Sequence, residues 1–235
     1  MAINKRAWSE NELLVAFRLY CRTPFGRLHQ RNPEIIKLAK LIGRTPSAVA
    51  MKACNFASLD PKQQARQIKA LRNVSRADRE LWEAFSDNSE VVAQKTEAAY
   101  ALITGQTETK PPDDITVPEG PTEVERTLKT RRVQSFFRAA VLAAYENRCA
   151  LTGLSISDLL NASHILPWSV NTRQRANPCN GICLNVFHDR AFDRGLITFD
   201  QGYRFVLSTK IEDYQEDYLH KELLVNFVGH ALRLP

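Results

Sequence analysis

The sequence predicts an α+β protein with a helical N-terminal domain and a C-terminal domain built from short strands and helices. Three observations lead to this fold class. Apolar residues recur at helical spacing through the first hundred residues, strand-like apolar runs follow in the second half, and a segment with four prolines lies between them. We therefore predict a helical domain at residues 1–104, a linker at 105–122 and a second domain at 123–235.

Each of the first three predicted helices has its own start signal. Ser9-Glu10-Asn11-Glu12 is a capping-box pattern, and Asn32-Pro33 and Thr45-Pro46 each join an N-cap residue to a proline in the first helical position. Gly43 stops the second helix, which leaves only a short turn before the third. The same reasoning predicts further helix over residues 75–103.

The short turn between the second and third helices is typical of a helix-turn-helix. With Trp8 ahead of the first helix, the segment weakly resembles Myb-like trihelical DNA-binding domains. Arg44 and Lys52 are then the candidate DNA-binding residues, because they lie in the turn and on the third helix. The alternative is a small helical bundle that docks onto the rest of the chain.

Charge is arranged in blocks along the chain, within a net charge of +6. Residues 1–76 carry 15 Lys and Arg against 4 Asp and Glu, residues 77–125 carry 3 against 12, and residues 126–210 carry 12 against 5. Two basic blocks favour a nucleic-acid partner, because released counterions reward contact between cations and phosphates. A basic surface without such a partner is the plainer alternative.

Cysteine usage and hydropathy indicate where in the cell the protein is expected. The five cysteines are scattered and odd in number, which argues against a disulfide scaffold and favours a reducing compartment. No apolar run reaches the length of a membrane span, and no signal peptide opens the chain. We therefore expect a cytoplasmic protein without a membrane partner.

The second predicted domain begins with a basic helix. Apolar residues recur at helical spacing over residues 123–145, with Arg131 and Arg132 among them. A β-hairpin is predicted over residues 197–207 because two strand-like runs flank a Gln-Gly turn. A closing helix is predicted over residues 218–232.

The residues that indicate a catalytic activity lie between that helix and the hairpin. Residues 161–168, Asn-Ala-Ser-His-Ile-Leu-Pro-Trp, are expected to form a strand that ends at Pro167. Residues 180–186 are expected to form a second strand, and residues 188–194 a short helix stopped by Gly195. This segment resembles the HNH endonucleases, which have the ββα-metal fold. It has their order of strand, loop, strand and helix, with His, Asn and His in that sequence. The Cys149-Ala-Leu-Thr-Gly153 turn is similar to the subset found in bacterial restriction-type enzymes.

The resemblance implies a role for each motif residue. His164 would be the general base that takes a proton from the attacking water, for which an imidazole with a near-neutral pKa is suited. Asn180 would steady the loop between the strands, and its amide could fix the tautomer of that imidazole. His188 would be a metal ligand, and the metal would neutralise charge on the scissile phosphate. The implied reaction is phosphodiester hydrolysis with one divalent ion.

Two departures from the family pattern concern metals. Ser163, a poor ligand, occupies a metal-binding position that is usually acidic, so we expect Asp189 to substitute. Asp193 lies about 140° round the helix from His188 and is expected to pair with Arg190 or with local backbone. Few protein ligands favour Mg²⁺, with Mn²⁺, Ni²⁺ or Zn²⁺ as alternatives. The cysteines do not form two Cys-x-x-Cys pairs, so no structural zinc is expected.

We therefore predict a metal-dependent DNA endonuclease of restriction or defence type that acts on double-stranded DNA. Arg131, Arg132, Arg173 and Arg175 are further candidate DNA-binding residues, although the last two fit a solvated loop equally well. Cutting both strands would need two such sites, which favours a homodimer. The alternatives are a DNA-binding protein with a degenerate HNH domain, which Ser163 favours, and a nonspecific effector nuclease regulated through its N-terminal domain.

Overall fold

The N-terminal helices begin at the predicted capping residues. The computed structural model describes residues 6–67, 74–105, 121–214 and 218–235. Ser9 forms a complete capping box with Glu12, and the side chains of Asn32 and Thr45 each cap a helix that has proline in its first turn. The helices of this part are α1 (Glu10–Cys21), α2 (Pro33–Leu41), α3 (Pro46–Leu59), α4 (Pro61–Ala65), α5 (Arg76–Asp87) and α6 (Ser89–Thr104).

The C-terminal part combines helices with two small antiparallel sheets, so the predicted α+β class is confirmed. Its elements are α7 (Pro121–Ala144), β1 (Leu160–His164), β2 (Gly181–Asn185), α8 (Val186–Asp193), β3 (Ile197–Phe199), β4 (Phe205–Leu207) and α9 (Tyr218–Leu223). β1 pairs with β2, and β3 pairs with β4. Within the described ranges, no helix is both long enough and apolar enough to cross a bilayer.

Three expectations about element boundaries need correction or fall outside the described ranges. The helix predicted over 75–103 is two helices, because Asn88 leaves the helical conformation and caps α6 with its side chain. The closing helix ends at Leu223 instead of Leu232, since a 3₁₀ turn over Val225–Phe227 replaces its second half. Residues 106–120 of the predicted linker lie outside the described residues.

The helical part and the C-terminal part share a hydrophobic core. Phe17 of α1 and Phe85 of α5 belong to the same buried cluster as Val133 and Phe136 of α7. The Phe85 and Phe136 rings lie 6.1 Å apart, edge to face. α7 therefore packs against the helical part on one side, and on its other side it packs against β1 and β2.

Candidate active site

Gly181 allows α7 to pack closely against β2, the strand that pairs with the His164 strand β1. β1 and β2 run antiparallel with His164 opposite Gly181. A Cβ atom on Gly181 would stand 2.4 Å from Val141 Cγ2 and 2.8 Å from Phe137 Cζ. A larger residue would therefore push α7 away, and with it the Phe137 ring that faces His164.

The His164 imidazole is held on three sides. It stacks on Phe137 with ring centroids 3.7 Å apart and an interplanar angle of 13°, and Trp168 meets it edge-on at 5.3 Å. Its Nε2 atom lies 3.0 Å from the backbone carbonyl oxygen of Arg175. Because a carbonyl oxygen only accepts, Nε2 carries the proton and Nδ1 keeps the lone pair that a base needs.

The surroundings of His164 also set its charge state. Burial lowers the pKa of His164, while the Arg175 carbonyl and the carboxylates of Asp193 and Asp189 oppose that shift. The neutral imidazole is therefore the form present at neutral pH, as a general base requires. The two carboxylates would stabilise the imidazolium that forms once a proton has been taken.

Asn180 holds the loop that follows β1 and does not touch the His164 ring. Its side-chain oxygen accepts from the backbone N–H of Leu166 at 2.8 Å, and its amide nitrogen donates to the Leu166 carbonyl at 3.2 Å. Its own carbonyl accepts from the N–H of Ile165 at 2.9 Å. Asn180 therefore supports the loop after β1, whereas the Arg175 carbonyl fixes the tautomer of His164.

His188 points into the protein interior and does not face His164. The residue is fully buried, and its Nε2 donates to the Leu223 carbonyl at 2.7 Å. Phe205 and Phe227 pack edge-on against the ring, with centroids at 6.2 and 5.3 Å. Its Nδ1 lies 3.1 Å from the side-chain oxygen of Asn185. The expectation that His188 is a metal ligand does not fit this geometry, because Nε2 carries the proton donated to Leu223 and the whole ring is enclosed in the protein interior.

Ser163 and Asp189, both expected near the metal, are brought together. The Ser163 hydroxyl donates to Asp189 Oδ1 at 2.5 Å, and Asn161 Nδ2 donates to Asp189 Oδ2 at 2.7 Å. Asn161 and Ser163 lie two residues apart on β1, so their side chains leave the same face of the strand. Ser163 therefore orients the carboxylate of Asp189, and its hydroxyl is committed to that contact.

Asp193 interacts with Asp189 and His164, whereas the sequence analysis expected it to pair with Arg190 or with local backbone. Asp189 and Asp193 are four residues apart and share a face of α8, although Asp193 lies well round the helix from His188. Burial and the Asp189 charge raise the pKa of Asp193, while Arg190, His164 and Arg194 oppose the rise. The i, i+4 spacing of two carboxylates beside the second strand was the signal that could have identified it.

Asp189 and Asp193 are residues that could hold a divalent cation through oxygen ligands. Among the described residues, no three His, Cys, Asp or Glu side chains are grouped closely enough to hold a metal ion. Asp189 and Asp193 nevertheless place two like charges together, and a cation bound to oxygen ligands and waters would relieve that repulsion. Cys149 and Cys183 are buried in the apolar cluster beneath β1 and β2, whereas Cys179 is exposed.

The two candidate DNA-binding residues of the helical part already have protein partners. Arg44 donates to Glu12 at 2.8 Å and lies over the Trp8 ring at 4.1 Å. Lys52 is buried and donates to Asp78 at 2.7 Å. The exposed residues of α3 are Ser47 and Met51, so the third helix presents no cation to solvent. DNA contact by Arg44 or Lys52 would require these ion pairs to break.

The four candidate arginines of the C-terminal part differ in exposure and in whether their guanidinium groups already have protein partners. Arg131 and Arg132 lie half-buried on α7, and the Nε of each is buried without a hydrogen-bond partner among the described residues. Arg173 is exposed. Arg175 is not free, because its Nε donates to the Trp168 carbonyl at 2.7 Å and its guanidinium lies 3.7 Å from Glu90.

Comparison with known families identifies the segment that contains this site. Residues 149–200 match the family model described as HNH endonuclease. The matched segment includes β1, β2, α8 and β3, with His164, Asp189 and Asp193. No curated protein shows significant similarity to the chain. Residues 149–200 are therefore similar to HNH endonucleases.

Proposed function

We propose that the chain is a metal-dependent DNA endonuclease of restriction or defence type, in which His164 is the general base. The observation that carries the proposal is the state of the His164 ring. One nitrogen is committed to the Arg175 carbonyl, the other keeps its lone pair, and two carboxylates act on the ring's pKa. Such a ring is prepared to take a proton from water at neutral pH.

The reaction is hydrolysis of a phosphodiester bond. Water gives its proton to Nδ1 of His164 as its oxygen attacks phosphorus, the bond to the 3′-oxygen breaks, and the departing 3′-oxygen takes a proton from solvent water. Phe137 and Trp168 restrain the imidazole plane, so that Nδ1 keeps one direction during the transfer. The imidazolium then gives its proton to solvent water, which restores the neutral ring that burial favours.

Asp189 and Asp193 are the residues that would hold the divalent ion, with Mg²⁺ as the first choice. A bound ion would supply charge neutralisation at the scissile phosphate and at the leaving oxygen. Ser163 and Asn161 contribute by orienting the Asp189 carboxylate through their hydrogen bonds. This assignment replaces His188 with Asp193 and keeps Asp189.

The substrate proposed is double-stranded DNA. Arg131, Arg132 and Arg173 have guanidinium groups without a described ion-pair partner and are the phosphate contacts we propose. The net charge of +6 supports a polyanionic substrate. Two copies acting together, as a homodimer, would cut both strands.

Two other functions have one supporting observation each. The lack of a third metal-ligating side chain near Asp189 and Asp193, within the described ranges, favours a DNA-binding protein with a degenerate HNH domain. The commitment of Arg44 and Lys52 to ion pairs favours a nuclease whose helical part serves regulation instead of sequence reading.

Plasmid nicking tests the proposed function. Supercoiled plasmid is incubated with wild type, His164→Ala and His29→Ala, in Mg²⁺ and in EDTA, and DNA binding is followed by gel shift. His29 is an exposed histidine outside the matched segment and serves as the control. We expect nicking only in Mg²⁺, a loss of about 100-fold or more in His164→Ala, and no change in His29→Ala. If none of the proteins nicks and all shift DNA, the chain is a binding protein.

A further inference from the structure

The loop between the two strands of the matched segment is bound to the helical part at three consecutive residues. The Arg173 carbonyl accepts from the Ser89 hydroxyl at 3.0 Å. The Gln174 side-chain amide donates to the carbonyls of Ser86 and Asp87 at 2.9 and 3.3 Å. The Arg175 guanidinium lies 3.7 Å from the carboxylate of Glu90.

These contacts lie at the junction where α5 ends and α6 begins. The partners of the loop span only residues 86–90. Ser89 is fully buried, so its hydrogen bond to the loop is shielded from water. Gln174 also accepts from Asn177 Nδ2 at 2.8 Å through its other amide atom, which fixes the orientation of the side chain.

The same loop supplies two of the restraints on His164. The carbonyl of Arg175 is the acceptor for Nε2 of the imidazole. The side chain of Arg175 donates to the Trp168 carbonyl and lies over the Trp168 ring at 5.0 Å, and that ring packs edge-on against His164. The position of Arg175 therefore decides both the tautomer of His164 and the placement of its aromatic neighbour.

We infer that the α5–α6 junction positions the general base, with Gln174 and Glu90 as the positioning residues. The helical part then acts on catalysis directly, in addition to any role in binding DNA or a partner. Release of the loop would withdraw the Arg175 carbonyl, and the imidazole would be free to rotate and to exchange its tautomer. This inference rests on the proposed function only for its effect on cleavage, since the effect on the ring does not require activity.

Gln174→Glu tests the inference with almost no change in shape. The new carboxylate keeps the acceptor that faces Asn177 but removes the donor that faces the two carbonyls. Gln201→Glu makes the same change on an exposed turn and is the matched control. Glu90→Gln is the second variant, because it weakens a partly exposed ion pair and leaves the interior intact.

The first readout is the imidazole N–H of His164 in NMR spectra, identified by its absence in His164→Gln. Long-range correlations from ring protons to ring nitrogens report the tautomer. We expect a slowly exchanging Nε2–H in wild type and Gln201→Glu, and fast exchange with mixed tautomers in Gln174→Glu. The second readout is Mg²⁺-dependent nicking, which should fall about tenfold in Gln174→Glu and about threefold in Glu90→Gln.

The outcomes separate the inference from the proposed function. Loss of the ring signal in Gln174→Glu supports positioning, even if no variant cuts DNA; in that case only the endonuclease proposal fails. An unchanged tautomer and exchange rate in Gln174→Glu overturn the inference, whatever the nicking rates are. If Gln174→Glu does not fold, the ring signal in Glu90→Gln decides by the same criterion.

Discussion

Substitution of His188 separates a structural histidine from a metal ligand. His188→Ala removes a fully buried ring and leaves the Leu223 carbonyl without its donor. His188→Gln keeps a donor close to the position of Nε2, because the glutamine amide nitrogen reaches about as far as that ring atom. If the residue is structural, the two variants should therefore differ strongly in stability.

The magnitudes follow from the contacts of the ring. A cavity between Phe205 and Phe227, together with an unpaired buried carbonyl, should cost about 4 kcal/mol in His188→Ala. For a chain of 235 residues this corresponds to a fall of about 8–16 °C in Tm. His188→Gln preserves volume and the hydrogen bond, so its loss should stay below about 1.5 kcal/mol.

Thermal unfolding and plasmid nicking together decide between the roles. We expect His188→Gln to nick DNA within about threefold of wild type at a temperature where it is folded, with the same Mg²⁺ requirement. A true metal ligand would behave differently, because its replacement by an amide should weaken metal affinity strongly. A folded His188→Gln protein with a Mg²⁺ affinity about 10 to 100-fold weaker would refute the structural role.

Four further predictions test the site and its support. Because burial lowers the pKa of His164 and a base must be neutral to act, kcat/KM for nicking should fall towards acid with a midpoint below pH 6.5; a midpoint above 6.5 in a pH series contradicts this. Asp193→Asn should weaken Mg²⁺ activation about 10 to 100-fold with little change in Tm, as titration of the nicking rate with Mg²⁺ will show. Gly181→Ala should cost about 1–3 kcal/mol in urea unfolding, since its Cβ would clash with α7; a neutral result contradicts the close approach. Lys52→Ala should cost about 3 kcal/mol by leaving Asp78 buried and unpaired, whereas a gel shift below the unfolding temperature should match wild type.

Local features of the fold could be predicted because their causes lie within a few residues. The capping residues Ser9, Asn32 and Thr45 act on backbone N–H groups at most three positions away. The strand, strand and helix around His164 follow from alternation and turn residues in one continuous segment. Asn88 was missed as a boundary because apolar spacing continues across it, although its side chain caps α6.

The misplaced site residues have partners that are distant in sequence. His188 donates to a carbonyl 35 residues away, and nothing in its neighbourhood predicts that bond. Arg44 and Lys52 pair with carboxylates 32 and 26 residues away, so charge alone could not tell an interior ion pair from a DNA contact. The pairing of Asp193 with Asp189 is local, because the two residues are one helical turn apart, so the sequence carries that signal.

Anomalous diffraction from crystals soaked in Mn²⁺, at an energy where manganese scatters anomalously, tests the central claim most directly. We expect one strong peak between the carboxylates of Asp189 and Asp193, with the His188 ring still bonded to Leu223. A peak within bonding distance of His188, with its ring turned away from Leu223, would contradict the account.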